Sequence, residues 1–172
     1  LTAINGVAVT TAVSKEEDEA RDESLNRELN LTVSDTLPSG NELLAGQWWS
    51  AAVTAPWPVS VESRLAEKLG IGLGDRLQFT LAEGNVEATV SSLRRVDWDS
   101  FQPNFYMVFP TAALASFPAS YLTAFHVPGE HRDILNTLVK RFPTVVLIDV
   151  DAIMTQVRKL LDDVSRAIEF VL

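Results

Sequence analysis

Two histidines, His126 and His131, are the first residues to test for chemistry, because imidazole serves both as general base and as metal ligand. They are five residues apart, which misses the i, i+4 spacing that aims a helical pair at one metal. His126 falls in the apolar run Tyr121–Val127, where a core histidine with a satisfied hydrogen bond is the plain expectation. His131 opens a helical pattern and is expected at the surface. Serines are plentiful, but neither a G-x-S-x-G elbow nor an S-x-x-K element occurs. The absence of cysteine excludes thiol nucleophiles, Cys-ligated zinc and iron–sulfur clusters. Gly70-Ile-Gly72-Leu-Gly74 has the glycine density of a phosphate loop. Its order is helix, glycines, strand, whereas phosphate loops run from strand through glycines into a helix that offers its first amides. These glycines read as a helix stop and a tight turn. No catalytic, cofactor-binding or metal-ligating residue is expected.

The aromatic residues are the stronger signal. Trp48, Trp49, Trp57, Trp98 and Phe101 lie in or beside irregular segments, with Phe105 and Tyr106 close to the last two. Two readings stand. The rings cap a local core, or some of them line an apolar contact surface for a partner or a lipid-like ligand, as exposed aromatics do. Arg94-Arg95-Val96-Asp97-Trp98-Asp99 mixes both charges with an indole at a strand end, and its spacing fits an ion-paired turn or a contact edge equally well.

The elements that must hold these residues follow from periodicity. Asn5-Gly6 between short apolar runs predicts a hairpin with a type I′ turn. Ser14 to Glu23 suits an acidic helix capped by Ser14. Leu29, Leu31 and Val33 alternate as in a half-buried strand. From Asp35 to Pro58 the proline density opposes both helix and central strand. Val61, Leu65 and Leu69 line one helix face over 60–69, with Ser60 as cap and Gly70 as left-handed stop. Strands are expected at 76–81, 86–96 and 105–109, with a turn at Glu83–Asn85, and together they suggest a small antiparallel sheet. The last third reads strand (121–127), helix (130–142), strand (145–148). The first segment has the same order. Two such halves in one sheet would make a ferredoxin-like split βαβ domain.

At 172 residues, with 47% apolar and 22% charged residues, the chain is long and apolar enough to bury its own core. A net charge of −9 argues against nucleic acid and anionic lipid as partners, since both repel it. Residues 15–35 hold eight acids and three bases, which suits a solvated face or a dock for a basic partner. No run of about 18 apolar residues spans a bilayer. The chain opens inside a strand pattern and stops inside a helix pattern, as expected of a piece of a longer protein. In the final helix, Val150, Ile153, Val157, Leu160, Val164, Ala167 and Val171 alternate spacings of three and four, a heptad stripe. Such a helix reaches roughly 35 Å. A stalk or coiled coil and a packed core helix both fit that stripe.

Several phrases, taken in order, carry a family resemblance. They are Ala3-Ile-Asn-Gly6, Leu29-Asn-Leu-Thr-Val-Ser-Asp-Thr-Leu-Pro38, Ala45-Gly-Gln-Trp-Trp49, Leu73-Gly-Asp-Arg-Leu-Gln-Phe79, Ser92–Ser100, Asn104–Pro110 and Ile148–Ile153. The chain resembles the extracytoplasmic domain of an FtsX-like, MacB-type ABC transporter permease, within its YbbP-like branch. That resemblance implies an α+β fold with a porter-like split βαβ part (1–35 plus 120–150) and an inserted sabre-like part (36–119). It also implies a stalk helix (150–172) leading to a transmembrane segment. Ile153, Val157, Leu160 and Val164 would pack the stalk. The implied place is the periplasmic face of a bacterial inner membrane. The implied role is non-enzymatic: it relays motion driven by a cytoplasmic ABC ATPase and contacts a hydrophobic or lipid-like cargo or a periplasmic esterase/lysophospholipase. Trp48, Trp49, Trp57, Trp98 and Phe101 are the candidate contacts. A ligand-sensing domain of a membrane receptor is the alternative, and a small hydrolase is disfavoured by the failed search for a catalytic constellation.

Overall fold

A computed structural model describes the backbone of residues 1–9, 29–50, 53–100, 102–131 and 133–171. The helix expected over 14–23 lies outside these residues, as does Phe101. The described chain is α+β and divides into two compact units, Leu1–Ala124 and Phe125–Leu172.

The first unit is built on one mixed sheet. Its strands are β1 (Ala3–Ile4), β2 (Val7–Ala8), β3 (Leu31–Val33), β4 (Asn41–Gly46), β5 (Trp57–Glu62), β6 (Arg76–Leu81), β7 (Gly84–Val96) and β8 (Met107–Phe109). They lie in the order β2-β1-β6-β7-β5-β8-β3, with β4 added beside the far end of β7. The sheet is mixed rather than purely antiparallel, because β5 runs parallel to β7 and β3 parallel to β8. β1, β2 and β3 thus share the sheet with the strands of 36–119.

The β1–β2 hairpin turns on Asn5 (φ 51°) and Gly6 (φ 79°), the two positive φ values a type I′ turn requires. Asp75 then ties this hairpin to the glycine turn. One carboxylate oxygen accepts from the Gly72 amide at 2.7 Å, and the other from Asn5 Nδ2 at 2.9 Å. Asn5 Oδ1 in turn accepts from the Arg76 amide. These donors hold the Asp75 carboxyl below its ordinary range, the Gly72 amide contributing most.

Helix α1 (Ser63–Leu69) starts later than the sequence suggests. Residues 57–62 form a central strand despite Pro56 and Pro58, and the cap is Glu62, whose carboxylate accepts from the Leu65 amide at 2.8 Å, not Ser60. Val59 and Val61 are β-branched and wholly buried, so packing in the sheet overrides the four-residue periodicity. Gly70 (φ 66°) closes the helix as expected. Leu65, Ala66 and Leu69 cover one face of the sheet, against Val61, Leu77, Phe79, Val90, Met107 and Phe109. Phe79 and Phe109 meet edge to face, with ring centroids 5.3 Å apart.

β4 arises inside the stretch expected to be irregular. It docks on β7 with a register shift between Leu43 and Ala45 and ends at Gly46. A Cβ on Gly46 would overlap the Ser91 carbonyl oxygen and come within 2.9 Å of Leu73 Cδ2 and Ser92 Cα. Only glycine permits this approach at φ 78°.

The second unit contains α2 (Asp133–Arg141) and α3 (Val150–Val171). Tyr121–Val127 and Val145–Ile148, expected as strands, carry no strand assignment. Apolar β-prone residues form a strand only where a neighbouring ladder takes their backbone groups, and no such pairing occurs here among the described residues.

Two outcomes follow. Gly46→Ala lowers the denaturation midpoint of the first unit clearly more than Gly74→Ala, whose Cβ would meet nothing within 4 Å. Both changes incur ~1–3 kcal/mol of left-handed strain, and Gly46 adds a backbone clash. All four tryptophans lie in this unit, so urea titration read by indole fluorescence isolates it. Second, the stability Asp75 contributes is present above its unfolded value of 3.8 and is lost as pH falls through its lower folded value. The midpoint of Asp75→Asn should lose less than that of the unsubstituted chain across that acidic window.

Candidate functional site

Alternate residues of β7 are buried, on two faces of the sheet: Val86, Ala88 and Val90 lie in the core that α1 covers, and beyond the register shift at Ser91 the residues Ser92, Arg94 and Val96 turn to the other face. The fifth of these is a cation. Arg94 is 0% exposed. Its Nη1 donates to Asn41 Oδ1 at 3.1 Å, and its Nη2 donates to the Phe105 carbonyl. Its Nε has no hydrogen-bond partner among the described residues. The countercharge is Glu62, which faces it across the parallel β5–β7 pair and is itself buried. Burial pushes the guanidinium pKa down to about 10, with the Glu62 carboxylate pulling in the opposite direction.

From this centre polar contacts run outward. Asn41 Nδ2 donates to Asn104 Oδ1 at 3.2 Å. Asn104 Nδ2 donates to the Asp97 carbonyl at 2.9 Å and to Ser100 Oγ at 3.3 Å. The Asp97 amide donates to the Gly40 carbonyl, and the Glu62 amide to the Tyr106 carbonyl. The turn between β7 and β8 is therefore fastened at both limbs.

Beside this turn a cleft of about 490 Å³ is lined by Gly40, Asn41 and Glu42, by Arg64 of α1, and by Arg95 to Asp99. That volume is within the usual range for small-ligand sites. Arg95 pairs with Glu42 at 2.8 Å in the open. Trp98 packs against Tyr106, with centroids 4.8 Å apart and planes tilted by 46°. Each residue is 40% exposed. A flat aromatic surface bordered by both signs of charge suits contact with a ligand or partner.

The structure separates the candidate aromatics. Trp48 and Trp49 stack at 4.0 Å, and their Nε1 groups donate to the Asp35 and Ser34 carbonyls. Trp49 is buried, and Trp57 packs half-buried against the core. Trp98 is separate from them and is the most open of the four. Ile153, Val157, Leu160 and Val164 lie on α3 with exposed side chains. His126 is exposed rather than a core residue, because its segment pairs with no strand, and His131 Nε2 lies 3.8 Å from Glu130 Oε1. Among the described residues, no cluster of three His, Asp or Glu side chains is placed to hold a metal. Sequence reasoning missed the burial of Arg94. Its alternation with Ser92 and Val96 was readable, but the register shift at Ser91, which turns these three away from the face of Val86, Ala88 and Val90, was not.

The chain is 43% identical over 148 residues, 86% of its length, to the uncharacterized ABC transporter permease YbbP of Escherichia coli (strain K12). The chain is related to an ABC transporter permease. It spans about a fifth of that relative's length, 18%. No protein-family profile matches it, and no solved structure matches it. The resemblance to an ABC transporter permease carried by the ordered sequence phrases is thereby borne out. Among the described residues, no helix is long and apolar enough to cross a membrane.

Removing one partner of a buried charge pair typically costs ~3–5 kcal/mol, and an exposed pair about 1 kcal/mol or less. Arg94→Ala should therefore lower the urea midpoint of the first unit severely, whereas Arg95→Ala leaves it nearly unchanged.

Proposed function

We propose that the chain is the periplasmic part of an inner-membrane ABC transporter permease. The observation that carries this reading is the 43% identity over 86% of the chain. In this reading the domain is not an enzyme. It moves as a cytoplasmic ABC ATPase binds and hydrolyses ATP, and it relays that motion to a hydrophobic or lipid-like cargo or to a periplasmic esterase/lysophospholipase. The porter-like (1–35 plus 120–150), sabre-like (36–119) and stalk (150–172) division belongs to the same proposal.

Two features support the assignment of roles. The open Trp98–Tyr106 pair beside the cleft offers apolar contact area on a fastened turn, so Trp98 leads the candidates for cargo or partner contact. Trp48, Trp49 and Trp57 are already engaged by backbone carbonyls or core residues and act behind it. Along α3, Ile153, Val157, Leu160 and Val164 form an exposed apolar stripe that suits packing of a stalk against other parts of the permease.

The test uses the full-length permease with its ATPase in phosphatidylethanolamine vesicles that contain a fluorescent lysophospholipid. ATP-dependent release of the probe is expected. Trp98→Ala should reduce release roughly tenfold or more, as truncating a central aromatic contact does. Val164→Asp should abolish release while ATP binding persists, because a charge on the stripe cannot be buried unpaired. Release unchanged in both variants would remove these roles.

A further inference from the structure

A fully buried arginine is an expensive choice at a strand position whose buried same-face neighbours are Ser92 and Val96. An apolar residue would fill the same space without stranding an Nε donor. What it would lack are the donors to Asn41 and Phe105. These two contacts reach the two sides of one turn. Phe105 and Tyr106 belong to its returning limb, where the Tyr106 carbonyl accepts from the Glu62 amide. Asp97 and Ser100 belong to its outgoing limb and are held by Asn104, which is held by Asn41. Trp98 sits on the outgoing limb and Tyr106 on the returning one, so their tilted contact at 4.8 Å requires the limbs to be fixed relative to each other.

We infer that Arg94, Asn41 and Asn104 are positioning residues, a hydrogen-bond chain from the core that sets the turn so that Trp98 and Tyr106 form a preformed contact surface. Arg94 touches no ligand in this arrangement. It acts through Asn41 and Asn104, and its benefit is preorganisation: a partner does not have to order the rings on binding. The inference deepens the contact role proposed above for Trp98 and rests on that reading for its purpose, though not for its geometry.

The experiment is ¹⁹F NMR of the 172-residue chain labelled with 5-fluorotryptophan, which gives one resonance for each of four indoles. Trp98→Phe assigns the Trp98 line. Asn104→Ala cuts the chain at its outer end. Asn41→Asp cuts it in the middle while keeping an acceptor for Arg94. In both variants the Trp98 line should shift and broaden or split while the Trp48, Trp49 and Trp57 lines hold their positions, which also reports that the core is folded. A Trp98 line unmoved in both variants overturns the inference. So does movement of all four lines together, which would mean the residues merely hold the unit folded. The same variants in the vesicle assay separate the two proposals. A moved Trp98 line with undiminished probe release upholds the positioning role and removes instead the contact assigned to Trp98.

Discussion

The Arg94 guanidinium is the constraint around which the first unit is arranged. A cation with no solvent must find both a countercharge and acceptors, and each one recruits a different element. Glu62 supplies the charge, and the same carboxylate caps α1. Asn41 brings in the start of β4, and the Phe105 carbonyl brings in the approach to β8. Elements distant in sequence are thus joined at one point by directional bonds, which apolar packing alone does not specify. The stability lost by burying charge is offset by a defined geometry at the surface above it.

That geometry explains why one aromatic residue of the group differs from the rest. Trp48 and Trp49 close the end of β3, and Trp57 leans on the core. Trp98 stands on a turn whose two limbs are tied inward, so its ring is open to solvent without being loose. The second unit presents the opposite situation. Its helices are amphipathic, yet large apolar residues of α2 and α3 are open to solvent, including Ile134, Val139, Leu160 and Leu161. In the permease reading proposed above, other parts of the transporter would cover this apolar area. The chain corresponds to 18% of its permease relative, which is consistent with such a setting.

Much of the fold was legible where local chemistry decides the outcome. Asn5-Gly6 and Gly70 sit in backbone conformations that few other residues tolerate, so their turns were readable from residue type. Leu77 and Phe79 alternate cleanly and lie in a strand. The α+β class and the permease relationship were readable as well. The errors occurred where tertiary pairing outweighs local preference. Pro56 and Pro58 argued against a central strand, but they stand at its entrance and leave Val59 to Glu62 free to pair on both sides. Val61, Leu65 and Leu69 mimic one helix face, although Val61 belongs to β5. Tyr121–Val127 has strand composition without a strand neighbour. Arg94 was hidden because its charge suggests the surface, and because the register shift at Ser91 turns it away from the apolar face that Val86, Ala88 and Val90 mark.

The order of strands in the sheet also governs how the chain reaches this state. Thr2 bonds to Gln78, and Asp35 bonds to the Thr111 amide, each across a sequence separation of 76 residues. Both flanks of the sheet therefore close long loops, and domains rich in such non-local contacts fold slowly. During synthesis β1 and β3 emerge well before β6 and β8, the strands that will cover them. Until then they are unpaired edges, open to partners other than their own. The hairpin of β6 and β7 is a longer local pairing than that of β1 and β2, and it forms without waiting for distant strands. It is the natural seed onto which the earlier strands are later drawn.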